Sequence, residues 1–190
     1  GIADGFVSQQ NGSFQEMWDM AFDFNLNRII GVGGGTNSNL NGGLINPSSG
    51  VVSTANFTGL GDICQDIACQ TVDDQGNFFV VYAQSICGSN GNLISLINNT
   101  LNGNVWMVPH GMWGFIESSN HAPNFAATAG PGSNAFNGLD ANNDYLYFYD
   151  GGGLAAFNKA NGALISAISV SWSGTFYTPL VQGGIAVDDC

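Results

Sequence analysis

Apolar residues along this chain come in short runs, each bounded by Asp, Asn or Gly, and the runs recur in sets. Ala21-Phe22-Asp23 leads to Asn27-Arg28-Ile29-Ile30. Thr71-Val72-Asp73 leads to Asn77-Phe78-Phe79-Val80, and Gly138-Leu139-Asp140 leads to Asp144-Tyr145-Leu146-Tyr147. Each reads as a strand, an Asp, a three-residue turn, an Asn or Asp, and a second strand. The Asp side chain can accept backbone amides two residues on, and Asn tolerates left-handed geometry at the turn exit. The β-branched and aromatic residues that follow suit a half-buried pleated surface.

A second correspondence lies further along each set. Leu44-Ile45-Asn46 runs to Gly50, Leu96-Ile97-Asn98 to Gly103, and Ala156-Phe157-Asn158 to Gly162. Each predicts a strand, a turn opened by Asn and closed by Gly, and another strand, with Gly where a positive φ is needed. Four strands per set, joined by hairpins and recurring near the roughly 40–50 residues of a propeller blade, predict an all-β chain of β-propeller-type repeats. The expected order is the end of a preceding blade over 1–16 and a blade over 17–65. A second blade starts over 66–109 and carries an insertion at 110–135. A third blade spans 136–183, and Ala186-Val187-Asp188 within 184–190 opens the next. A propeller closes with four to eight blades, so the chain reads as an incomplete part of a larger ring. A β-sandwich does not explain the recurrence. Only Ser13 to Ala21 has any helical character, and no stop signal ends it.

Composition narrows the function. Two Lys+Arg stand against fourteen Asp+Glu, for a net charge of −12, and charged residues are only 8% of the chain. A nucleic-acid surface needs cations to displace phosphate counterions, and Arg28 and Lys159 cannot supply them. A surface of Asn, Ser, Thr, Gln and Gly instead of Lys and Glu points to a secreted or cell-surface protein. No apolar run is long enough to form a transmembrane segment. Cys64, Cys69, Cys87 and Cys190 fit an oxidising compartment and are read as disulfide candidates, with free buried thiols as the alternative.

Candidate chemistry is sparse. The insertion holds both histidines, His110 and His121, with Trp113, Phe115 and Glu117. Insertions in repeat proteins map to loops on one face, often the binding face. Aromatics beside polar groups suit a glycan or protein ligand, although Trp113 and Phe115 capping a blade edge is the plainer reading. Asp140, Asn142 and Asp144 have the alternating oxygens that begin a calcium loop, but lack its Gly and distal Glu, so an Asx turn competes with calcium there. No other cofactor is implied. Gly31 to Gly35, followed by Thr36, has neither the helix nor the Lys of a phosphate-binding loop and reads as a flexible hairpin loop. No nucleophile elbow, zinc-protease motif or catalytic triad is legible.

Trp18-Asp19-Met20-Ala21-Phe22-Asp23, Gly43-Leu44-Ile45-Asn46-Pro47 and Gly184-Ile185-Ala186-Val187-Asp188-Asp189-Cys190 together resemble a known family. It is the propeller-like repeat region of large secreted surface proteins of Bacteroidetes-type gliding bacteria, many ending in a gliding-motility-associated C-terminal module. The resemblance implies export by the type IX secretion machinery and a non-enzymatic role in adhesion. It implies no catalytic residues. The sequence expectation is therefore a binding module for a glycan, surface or protein. The alternatives are a structural subunit of an extracellular assembly, or a propeller lyase or glycosidase with its site outside this segment.

Overall fold

The computed structural model describes residues 16–34, 42–55, 67–82, 93–109, 138–149, 153–169 and 185–188. Among them are twelve strands and three separate four-stranded antiparallel sheets. The first sheet contains β1 (Glu16–Asp23), β2 (Arg28–Gly34), β3 (Gly42–Ile45) and β4 (Val52–Ala55). The second contains β5 (Ile67–Val72), β6 (Phe78–Tyr82), β7 (Leu93–Ile97) and β8 (Asn104–Pro109). The third contains β9 (Gly138–Ala141), β10 (Tyr145–Tyr149), β11 (Gly153–Asn158) and β12 (Leu164–Ser169). In every sheet the strands lie side by side in chain order. The sheets meet along their first strands, β1 against β5 and β5 against β9. That is the arrangement of propeller blades, with the first strand of each blade innermost.

Alternation explains the packing. In β6, Phe78 and Val80 face the first blade, in a cluster with Ile30, Val32, Ile67, Ile97 and Leu101. Phe79 and Val81 face the third, in a cluster with Cys69, Ile94, Leu139, Leu146, Phe148, Ala155 and Phe157. The middle blade is thus apolar on both faces, which is why β6 reads as an unbroken hydrophobic run. Burying each such aromatic or aliphatic side chain contributes about 1.5–3 kcal/mol.

The blades also share irregularities. β1 bulges between Met17 and Asp19 and β5 between Ile67 and Cys69, each five residues before its turn-opening Asp. β8 carries an extra residue at Val105 and β12 one at Ile165, each seven residues after its turn-opening Asn. Bulges re-aim side chains and sharpen twist, and their recurrence at matching places shows that the repeat extends to backbone detail.

Three local expectations are corrected. The segment with helical character is strand from Glu16 onward, because β1 pairs with β2 along its whole length. The glycine run is no loop as far as Gly34. Gly31 is paired to Met20 on one side and Gly43 on the other, so ladder hydrogen bonds hold it without a side chain. In the turn after Asn98, the residue with positive φ is Leu101, not Gly103, since the amide that bonds the Asn98 carbonyl lies three residues on, whereas Gly50 and Gly162 bond Asn46 and Asn158 from four residues on. Burial of the Leu101 side chain between the first two blades offsets that backbone strain.

Candidate functional site

In each blade the first–second and third–fourth strand turns lie at the same end of the sheet, so six turns share one face. Asx side chains fix them. Asp23 Oδ1 accepts the amides of Asn25 and Leu26 at 3.0 and 3.2 Å, and its Oδ2 pairs with Arg28 Nε at 2.9 Å. Asp73 Oδ1 accepts the amides of Gln75 and Asn77 at 3.0 and 2.8 Å. The left-handed position falls on Asn27 in the first blade and Gly76 in the second. In the outer turns Asn46 Oδ1 accepts the Ser48 and Ser49 amides, Asn98 Oδ1 the Asn102 amide, and Asn158 Oδ1 the Ala160 amide.

The third inner turn departs from the sequence alignment. Asn142 opens it, accepting the amides of Asp144 and Tyr145 at 3.1 and 2.9 Å. Asp140 stands two residues earlier, inside β9 and paired with Tyr147. Its carboxylate takes the Ala141 amide, the Thr71 hydroxyl at 3.2 Å and the Val187 amide at 2.8 Å. The oxygens of Asp140 and Asn142 are thus occupied by protein donors. Among the described residues no group of three His, Cys, Asp or Glu is placed to hold a metal ion.

The cation that bridges two blades at this end of the molecule is Lys159. From the β11–β12 turn its Nζ reaches Asp73 Oδ2 of the second blade at 2.5 Å. It also donates to the carbonyls of Asn142 and Asn143 at 2.8 and 3.4 Å. Burial pushes the Asp73 carboxyl pKa up. The Asn77 and Lys159 hydrogen bonds, with the Lys159 charge, outweigh that and leave it below its ordinary value. A depressed carboxylate stabilises the fold above its unfolded pKa and loses that contribution as pH falls through the folded value. Trp106 Nε1 donates to the Lys159 carbonyl at 2.9 Å, and its ring lies against Gly162. A Cβ at Gly162 would come within 2.6 Å of that ring, at a φ of +72°. Gly162→Ala is expected to cost about 2–3 kcal/mol, from overpacking and left-handed strain together. Urea denaturation checks it, and an unchanged midpoint would contradict this contact.

Along the axis, polar bonds join one inner strand to the next. Asp19 Oδ2 accepts the Gln70 amide at 2.9 Å, and Gln70 Nε2 donates to the Asp19 and Ile30 carbonyls at 3.1 and 2.7 Å. Burial raises the Asp19 carboxyl pKa despite its two amide bonds. That is the opposite sign to Asp73: its stabilising contribution is full below the unfolded pKa and is lost as pH rises through the folded one. Thr71 to Asp140 and Asp140 to Val187 continue the series. A Cβ at Gly138 would meet Ile185 N at 2.7 Å, so residues 185–188 lie as close to β9 as an inner strand can.

Cys69 is a free thiol buried in the second cluster, so at this position the alternative reading of the cysteines holds. Burial, and then the nearby Asp19 charge, push its pKa well above the ordinary thiol value. Maleimide labelling with peptide mapping is expected to modify Cys69 only after denaturation. Labelling of the native chain at that residue would refute its burial. Cys64, Cys87 and Cys190 lie outside the described residues, as do His110, Trp113, Phe115, Glu117 and His121.

Sequence reasoning missed the exposed apolar groups on the turn face. Phe24 is 83% and Leu26 58% exposed, both in the β1–β2 turn, and Tyr145 begins β10 at the third inner turn. The signal was present as two large apolar residues inside a segment whose turn chemistry was already recognised.

No family model matches the chain, and no curated protein does. Solved structures do. The chain is similar to the Neurospora crassa Pan2 WD40 domain, with a TM-score of 0.53 and 10% identity, over 86% of this chain and 43% of that one. It thus spans less than half of that domain. Myxococcus xanthus glutaminyl cyclase aligns with a TM-score of 0.44 and 13% identity, over 82% of this chain and 51% of that one. The Cps50 (Swd1) β-propeller domain of Myceliophteria thermophila aligns with a TM-score of 0.33 and 7% identity, over 80% and 72%. These last two likenesses are too distant to argue from. Three sheets in chain order, meeting along their inner strands, and the WD40 likeness together give the fold: the chain forms consecutive blades of an incomplete β-propeller.

Proposed function

We propose that this protein is a non-enzymatic, extracellular or cell-surface propeller module that binds a glycan or a protein through its turn face. The observation that carries this reading is the rim itself. Six turns are locked by their own Asx side chains and bridged between blades, yet they present Phe24 and Leu26 to solvent. A rigid surface with exposed apolar anchors binds with little ordering cost, which is the usual requirement for a recognition face. Export rests on the low Lys and Arg content and the amide-rich composition. Passage through the type IX secretion machinery and a role in adhesion by gliding bacteria belong to the same proposal and rest on the sequence resemblance. The test is a glycan array and a pull-down with the full chain, comparing it with Phe24→Ser/Leu26→Ser. Binding that this variant loses supports the reading, and blank results in both assays oppose it.

A second reading, a structural subunit of an extracellular assembly, is favoured by one feature. β12 is the outermost strand of its blade and carries Leu164, Ile165 and Ile168 exposed. Among the described residues no strand pairs with its outer edge, and an apolar edge of this kind is a template for pairing with another chain. Sedimentation equilibrium separates the readings, a discrete monomer excluding self-assembly.

A further inference from the structure

The three inner turns form one continuous arc. Asn25 Nδ2 donates to the Asp74 carbonyl at 3.1 Å, which sets the Phe24–Leu26 turn beside Asp74 and Gln75. Lys159 Nζ then ties Asp73 to the carbonyls of Asn142 and Asn143, which sets Asp144 and Tyr145 next in line. Phe24 is supported from beneath by Phe22, ring centroids 4.7 Å apart, and Tyr145 stands edge-on to Tyr147 at 6.3 Å.

The charge left unpaired on this arc has one sign. The chain has two basic side chains, and both are committed: Arg28 to Asp23 and Lys159 to Asp73. Asp74 and Asp144 are exposed on the arc and have no ion-pair partner among the described residues. A ligand bearing phosphate or carboxylate would be repelled here. A neutral sugar could stack on the rings and donate hydroxyls to the carboxylates, but it would leave their negative charge uncompensated. An arginine-bearing peptide uses both, since guanidinium pairs with carboxylate and stacks on aromatic rings, and an apolar neighbour covers Leu26.

We infer that the arc from Phe24 through Asp74 to Tyr145 docks a cationic, apolar-flanked segment of a protein partner. This rests on the turn-face binding reading above and names its ligand class. Complementary charge of this kind sets partner choice and association rate, and salt weakens it.

The test uses the full chain and fluorescence anisotropy with labelled peptides of one length, alternating arginine with leucine, glutamate with leucine, or serine with leucine. The arginine peptide is expected to bind and the glutamate peptide not to. Asp74→Asn/Asp144→Asn is expected to weaken binding about five- to tenfold, two exposed charge pairs' worth. Phe24→Ser, at a site too exposed to disturb folding, is expected to weaken it by a similar factor. No binding of the arginine peptide, equal binding of all three, or indifference to both variants would each overturn the inference. A positive glycan array beside such a failure would leave the binding reading standing and remove only its cationic ligand.

Discussion

Lys159→Met is expected to lower the free energy of unfolding by about 3 kcal/mol, a large share of what a domain of this size commonly has. The side chains of Lys159 and Asp73 are 10% and 3% exposed, so removal of the ammonium strands a buried carboxylate. Breaking a buried pair from one side costs about 3–5 kcal/mol. The lower end applies because Asp73 keeps its bonds from the Gln75 and Asn77 amides and from Asn77 Nδ2. The Asn142 and Asn143 carbonyls also lose their donor. Two checks isolate the pair from mere packing loss. Adding Asp73→Asn should recover part of the deficit, so that the double variant is more stable than additivity gives. The acid limb of the stability curve, below the ordinary carboxylate range, should also flatten in Lys159→Met, because Asp73 then loses a main cause of its depressed pKa. Strict additivity and an unchanged acid limb would show that Lys159 does not clamp the second and third blades.

Phe79→Ala carries the other large effect, about 3–5 kcal/mol by equilibrium denaturation. Phe79 is fully buried on the face of β6 that meets the third blade, with the Trp106 ring centroid 6.1 Å away. Its loss opens a cavity between two sheets rather than inside one, and neither ladder can close over it without moving the other. Phe24→Ala is the control, expected to change stability by less than about 0.5 kcal/mol because its ring faces solvent. Equal effects at the two positions would mean that the blades are not packed face against face.

Fold class was legible because its cause is local. Runs such as Phe78 to Val81 declare strands, and Asp23 and Asp73 declare the turns that join them, so the recurrence shows before any long-range contact is known. The third inner turn was misaligned by two residues for a physical reason. Asp140, Asn142 and Asp144 can all play the Asx role, and a two-residue slip keeps every side chain on its own face of the strand, so the hydrophobic pattern cannot detect it. Leu101 gave no warning, since a left-handed leucine is made tolerable only by the blade beside it. The bonds that join blades, Asp19 with Gln70, Thr71 with Asp140 and Lys159 with Asp73, connect residues far apart in the chain and leave no periodic trace. One clue was available: a lone Lys in a chain so poor in charge is a strong candidate for a buried partner.

The measurement closest to the central claim is a crosslink between inner strands. Thr71 Oγ1 and Asp140 Oδ1 lie 3.2 Å apart on β5 and β9, which belong to different blades. Thr71→Cys/Asp140→Cys, oxidised mildly and mapped by mass spectrometry of its peptides, should give a 71–140 disulfide as a main product in the native chain and not in urea. Thiols at 71 and 140 that stay apart under native conditions would contradict a set of blades joined along a common axis by their innermost strands.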